Sequence, residues 1–270
     1  MSLWPYHGAA VITGAGSGIG RALALRLAER GVNLALVDRR EDRLREVRDA
    51  IEGPDHHASV HVLDLTDRAG VAALPEAVRA EHEAVSLLFN NAAVAIGGDF
   101  EEVSAEDFDW LISINFGAVV DMTRAFLPVL RRAPRARIVN LSSIFGIVAP
   151  AGQTAYAASK FAVRGFSEAL RHELEGSSVG VTIVHPGGVA TNIANDARIN
   201  VARPTEEVER RRAAFNKHLS LPPAQAAEII LEAVGQGRDR VLVGADARVG
   251  ALIQRLMPVR YWDLMKRRIG

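Results

Sequence analysis

The chain has 270 residues, 49% of them hydrophobic, and its 32 Lys and Arg match its 32 Asp and Glu. That is enough apolar material for a sizeable core, while zero formal net charge offers no long-range field for nucleic acid or an acidic membrane. The lack of cysteine excludes disulfides and thiolate metal sites and points to a reducing, cytoplasmic setting. The opening "MSLWPYHGAAV" has no basic stretch followed by a long apolar run, so no export signal is expected. No uncharged apolar stretch reaches the length of a membrane span.

The first element is Ala9–Thr13, an apolar run without alternation, as suits a strand buried on both faces. It leads into "TGAGSGIG", Thr13 to Gly20, and then into a helix whose stripe is Ile19, Leu23 and Leu27. A glycine turn between a buried strand and a helix lets the backbone approach a pyrophosphate, whose charge the helix N-terminus favours. The competing reading is a tight turn with no ligand; the strand–turn–helix context favours the phosphate. Asn33–Val37 is the second run and ends at Asp38. An acid there accepts from both hydroxyls of an adenosine ribose, which argues for NAD; Arg39 and Arg40 follow at once and keep NADP open. Asp38 also suits the cap of the next helix, striped by Leu44, Val47 and Ile51.

The third run, Ser59–Leu63, precedes Asp64, with His56, His57 and His61 grouped around its start. These histidines lack the spacing and carboxylate partners of a metal site and read as a solvated loop, so no metal is expected. Ser86–Phe89 ends at Asn90 and Asn91, and Ser104 with Asp107 resembles a capping box opening one helix that runs through Asn115 to Leu130. Arg137–Leu141 leads to Ser142 and Ser143, Val181–His185 to Pro186 and Gly187, and Arg240–Val243 is the seventh run. Residues 187–221 break the alternation and form a long connection of the kind that serves as a lid. Strands alternating with helices at this spacing predict an α/β, doubly wound parallel sheet flanked by helices, with right-handed crossovers. With no repeat or linker, residues 1–270 read as a single domain.

Polar residues collect where these strands end: Gly14, Asp38, Asp64, Asn90 and Asn91, Ser142 and Ser143, Pro186 and Gly187. A ligand crevice lies there in an open parallel sheet. In "AYAASKFAV", Tyr156 and Lys160 stand one helical turn apart on one face. A phenol with a reference pKa near 10 needs about 4 kcal/mol of help to reach neutrality, and an ammonium at about 4 Å supplies roughly that at an effective dielectric near 20. Tyr156 would then serve as general base for an alcohol or general acid for a carbonyl. His185, just before Pro186 at a strand end, reads as structural.

Taken together, "TGAGSGIG", "NNAA" (Asn90 to Ala93), "IVNLSS", "YAASK" and "PGGVAT" (Pro186 to Thr191) closely resemble the motifs of the short-chain dehydrogenase/reductase family, over about Gly8 to Thr191. The resemblance implies a Rossmann-type fold and a dinucleotide held by Gly14, Ser17, Gly18, Ile19, Gly20, Asp38, Arg39, Asp64, Leu65, Asn91, Ala92, Pro186, Gly187, Val189 and Thr191, together with Tyr156 and Lys160. It makes Tyr156 the acid/base and Lys160 the residue that lowers its pKa and holds the nicotinamide ribose. Ser143 would bond the substrate oxygen, and Asn115 would hold a proton-relay water. Ala93 departs from the family pattern, which usually has glycine there. A homodimer or homotetramer through the helices carrying Asn115 and Tyr156 is implied as well.

The expected activity is NAD(P)-dependent interconversion of a secondary alcohol and a ketone or aldehyde. The alternatives are an NADP-dependent carbonyl reductase and a dinucleotide sensor without catalysis. Val94, Ala95, Ile96, Ile144, Phe145, Ile147, Val148, Ile193, Ile199, Val201 and Phe215 suggest an apolar substrate. In the tail, residues 246–270, a stripe of Val249, Leu252, Ile253 and Leu256 is expected to pack on the body or on a second subunit in preference to a membrane surface.

Overall fold

The computed structural model describes residues 5–51, 53, 57–199 and 204–269, and of residues 267–269 only the backbone. His56, Val201 and the stretch 200–203 of the connection lie outside the described residues. Seven strands form one parallel sheet in the order β3-β2-β1-β4-β5-β6-β7. They are β1 (Ala9–Thr13), β2 (Leu34–Asp38), β3 (Ala58–Val62), β4 (Val85–Asn90), β5 (Ala136–Leu141), β6 (Val179–Pro186) and β7 (Arg240–Val243). The order reverses between β1 and β4, so the carboxyl ends of those two strands open the crevice that a doubly wound sheet offers a ligand.

The apolar runs are unalternated because both faces are covered. On one side α1 (Gly18–Ala28), α2 (Glu41–Ile51) and α8 (Pro223–Gly235) bury Leu23, Leu27, Leu44, Val47 and Ile230. On the other, α3 (Arg68–Glu81), α5 (Ala118–Leu130) and α6 (Thr154–Glu173) bury Val71, Leu74, Met122, Phe126 and Leu170.

The long helix expected from Ser104 to Leu130 is not continuous. Ser104 does cap it, its Oγ accepting from the Asp107 amide at 3.1 Å. Between α4 (Ala105–Ile112) and α5, residues Ser113–Gly117 wind as a π-helical turn. The cause lies outside the helix: the buried Asn115 side chain is tied to the backbone of Val94. By length and composition the run Ala105–Leu130 would also pass for a membrane span, but its inward face belongs to the core described above.

Of the histidines near β3, His57 is exposed, as a solvated loop implies, while His61 lies within the strand and is half-buried. Ser59 Oγ lies 2.8 Å from Nε2 of both His61 and His82, and His57 pairs with Glu81 at 3.6 Å. Among the described residues no group of three His, Cys, Asp or Glu could hold a metal ion.

After β7, α9 (Ala245–Leu256) and α10 (Tyr261–Ile269) close the chain. The tail stripe packs on the body only at Ile253, which is half-buried. Val249, Leu252 and Leu256 are exposed, and α9 buries Ala247 and Gly250 instead. An amphipathic period says that one face differs from the other, and here the small residues took the inside.

Candidate active site

The glycine loop is built around Thr13. Its Oγ1 donates to the Phe89 carbonyl and accepts from the amides of Asn91 and Ala92 at 3.0 and 3.1 Å. Asn91 Nδ2 donates back to the Thr13 carbonyl at 2.9 Å, so the ends of β1 and β4 are tied together. A Cβ on Gly20 would lie 2.1 Å from the Gly14 carbonyl oxygen, which is why the helix start can cross the turn so closely. Asp38 accepts from the Gly16 amide with Oδ2 and from the Arg40 amide with Oδ1, both at 3.1 Å. Each oxygen keeps a lone pair for a ribose hydroxyl. Arg40 is spent on Asp42, whereas Arg39 is exposed and helps hold Asp64 below the usual carboxylate range, the larger cause there being the Thr66 amide. Thr191 stands over the start of α1, its Cγ2 3.0 Å from where a Gly18 Cβ would be. These contacts hold the glycine loop, Asp38, Asn91 and Thr191 together at the carboxyl edge of the sheet, where β6 ends at Pro186.

Sequence reasoning missed two groups here. Arg43 lies against Gly16 and 3.9 Å from Asp196 of the long connection. Asp246 of α9 accepts from the Gly188 amide at 2.6 Å, and its carboxylate fills the space a Cβ on Gly187 would need. Only the acid in the first turn of the helix after β7 hinted at the latter.

Tyr156, Lys160 and Ser143 come together beyond the end of β5. Ser143 Oγ accepts from the Phe145 amide at 3.1 Å, which leaves its own proton for the Tyr156 oxygen or a ligand. Lys160 is buried and donates to the Leu141 carbonyl at 3.0 Å. Its Nζ lies 5.6 Å from the centre of the Tyr156 ring. The expectation that Lys160 brings the phenol to neutrality is not met by the protein groups alone. Burial pushes Tyr156 up to about 12, against the opposing hydrogen bond from Ser143, and burial pushes Lys160 down to about 8. Burial is the largest cause of both shifts, and the ammonium sits over the Tyr156 ring and against the Leu141 carbonyl.

Asn115 lies below them. Its Oδ1 accepts from the Val94 amide at 2.8 Å, and its Nδ2 donates to the Val94 carbonyl and to Ser159 Oγ. Both amide protons are spent, and only the second lone pair of Oδ1 is left for a water. His185 was read as structural, and the structure adds what it holds: the Ser143 carbonyl accepts from its Nδ1 at 2.8 Å. Burial pushes that imidazole down to about 4, so it is neutral and its Nδ1 carries the proton.

The apolar candidates divide. Ile147 and Val148 are core. Ile96 is core too, packed with Val103, Phe108 and Tyr156; beside them, with Phe100 and Thr154, lies a hollow of only about 10 Å³, room for one water, whose phenylalanine and valine walls the sequence did not single out. Ile199 stands over Gly97. The connection carrying it is pinned at two points. Arg198 stacks 3.4 Å above the Trp110 ring and reaches Asp107 at 3.1 Å, while Ser220 and Leu221 donate to the Gly188 carbonyl. The charged helix within it, α7 (Thr205–Asn216), buries no residue fully.

Residues 8–202 match the model of the short chain dehydrogenase family. A Mycobacterium tuberculosis protein named SadH, an oxidoreductase by that name, is 40% identical over 259 residues, 95% of this chain and 93% of its own. A dehydrogenase/reductase SDR family protein 7-like from Anopheles gambiae is 30% identical over 96% of this chain and 82% of its own. Among solved structures, a short chain dehydrogenase/reductase from Burkholderia phymatum in complex with NAD superposes with a TM-score of 0.81 at 31% identity, over 97% of this chain and 96% of that one. An alcohol dehydrogenase from Thermococcus sibiricus complexed with 5-hydroxy-NADP gives 0.74 at 26% identity, over 87% and 94%. Likeness that spans the glycine loop, the serine strand and the Tyr156–Lys160 helix, in chains matched nearly end to end, places this protein in the short-chain dehydrogenase/reductase family of oxidoreductases.

Proposed function

We propose that the protein interconverts an apolar secondary alcohol and the corresponding carbonyl compound, using a nicotinamide dinucleotide. The observation that carries this reading is the meeting of Tyr156, Ser143 and Lys160 beyond the carboxyl end of β5, on the same edge of the parallel sheet where the glycine loop follows β1. The residues present suit such a cofactor: a close strand–helix crossing at Gly20, an acid at Asp38 with lone pairs to spare, and Thr191 over the start of α1. A bound dinucleotide would supply the hydride acceptor or donor.

The protein's own part is proton transfer and orientation. In the reducing direction Tyr156 gives its phenolic proton to the substrate oxygen, and in the oxidising direction it takes that proton back. Held protonated by burial, it is ready as an acid. As a base it relies on Ser143, whose hydroxyl donates to the phenolate, and on the nearby Lys160 cation. Lys160 would also hold the nicotinamide ribose, and Asn115 keeps the Val94 loop against α6. The exposed Phe100 and the half-buried Val103 and Phe108 would meet the apolar part of the substrate at the mouth of that small hollow. Residues 187–221 would act as its lid.

Asp38 supports NAD over NADP, because its carboxylate repels a 2′-phosphate. Arg39, exposed beside it, supports the second reading, an NADP-dependent carbonyl reductase. A cytoplasmic homodimer or homotetramer of one domain completes the reading.

The test is nicotinamide absorbance on a panel of apolar secondary alcohols and ketones, with NAD and NADP, for wild type beside Tyr156→Phe. Turnover should fall roughly 10²–10⁴-fold in the mutant, the usual range for a lost general acid/base. Turnover that survives sinks the mechanism, and silence from both proteins with intact NADH binding moves the reading to a sensor.

A further inference from the structure

Among the described residues, eight large hydrophobic side chains are exposed, and five of them fall between Val249 and Leu264: Val249, Leu252, Leu256, Val259 and Leu264. Val249, Leu252 and Leu256 recur on one face of α9, and Val259 follows at the turn into α10. A monomer seldom leaves so concentrated a patch uncovered.

The charge around the patch is as uneven as its apolarity. Residues 245–270 hold Arg248, Arg255, Arg260, Lys266, Arg267 and Arg268 against Asp246 and Asp263, six minus two, or +4. The whole chain sums to zero, so the remainder carries −4. Zero net charge therefore hides a basic end. Asp246 faces inward, to Gly188, while Arg248 and Arg255 make no ion pair among the described residues.

We propose that the α9–α10 face docks on an anionic lipid surface. Leu252, Leu256 and Val259 would enter the headgroup boundary, with Arg248, Arg255 and Arg260 on the lipid phosphates. Exposed aliphatic side chains flanked by cations, with Tyr261 and Trp262 close by, are what an interfacial helix needs. A second copy suits this face poorly. A two-fold contact presents the same surface twice, so it would bring +4 against +4. The placement also fits the site: Gly250 of α9 abuts Ile144, next to Ser143, and Tyr261 Oη accepts from the Ala149 amide at 3.0 Å. A bilayer-borne substrate would thus arrive beside Tyr156. That consequence rests on the oxidoreductase reading; the docking does not.

The experiment is co-sedimentation of the full chain with vesicles of phosphatidylcholine alone or mixed with phosphatidylserine, at low and high salt. Two variants accompany it, Leu252→Ser/Leu256→Ser/Val259→Ser and Arg255→Glu/Arg260→Glu, with NADH binding as the check that each is folded. Wild type should sediment with the anionic vesicles and release in salt, and each variant should lose roughly tenfold or more of the partitioning. Wild type that stays in the supernatant, or variants that bind as well as it does, overturns the proposal. So does a dimer in analytical ultracentrifugation that the serine variant splits while vesicle binding is unchanged, since the face then serves a second copy.

Discussion

At the scale of single residues, Ser143 is held from behind. Its carbonyl accepts from His185, whose ring is fully buried and whose Nε2 has no hydrogen-bond partner. A ring with one nitrogen unsatisfied is an expensive way to fill core, and the bond to Ser143 is what it gives in return. His185→Leu removes the donor and leaves a buried carbonyl unpaired, a loss of about 1–3 kcal/mol in stability. It should also let Ser143 drift from Tyr156, so kcat falls while the Kd for NADH holds. His185→Asn, which can still donate, should recover part of kcat. Stability loss without any change in kcat, or no recovery in the asparagine variant, would reduce His185 to ordinary packing. The Gly188 position works by contact too: an added Cβ would lie 1.8 Å from the His218 carbonyl oxygen, which explains the doubled glycine of "PGG".

At the scale of elements, the connection from Gly187 to Leu221 behaves as a strap with two anchors. One anchor is Arg198, stacked on Trp110 and paired with the buried Asp107 of α4. Arg198→Ala should raise KM for the substrate more than it lowers kcat and speed proteolysis between residues 205 and 217. Arg198→Lys keeps the charge but loses the planar stack, so it should fall between the two. Unchanged cleavage and KM in both variants would show that the strap holds without this anchor. What the sequence disclosed here follows from range. Apolar runs, the glycine turn and the Tyr156–Lys160 spacing are local, and all were legible. The π-helical turn at Asn115 was not, because its cause is Val94, 21 positions earlier. Arg198 and Asp107 are 91 positions apart and His185 and Ser143 are 42 apart, so no spacing rule joins them. The α9 stripe was legible as a stripe but not by side, since period alone does not say which face meets the body.

At the scale of the whole molecule, two buried histidines make stability depend on pH. Burial holds both His82 and His185 down to about 4; for His82 the neighbouring His57 and His61 add to it. An unfolded histidine titrates near 6.5. Between about 6.5 and 4 the unfolded chain therefore binds protons that the native one refuses, and stability falls as pH falls. Above about 6.5 both states are neutral at these sites and the contribution is complete; below about 4 both are charged and the loss stops. Asp42 acts lower: Arg40 holds it down to about 2, so its share is lost as pH falls from about 4 toward about 2. Each pH unit inside the histidine window costs up to about 1.4 kcal/mol per ring. Urea unfolding at pH 7 and pH 5 should show a loss of a few kcal/mol for wild type. In His82→Gln the slope between the two pH values should be shallower by up to about 2 kcal/mol, whatever the substitution does to the level. Parallel lines for the two proteins would mean that His82 is protonated in the native state and that the Ser59-centred cluster tolerates its charge.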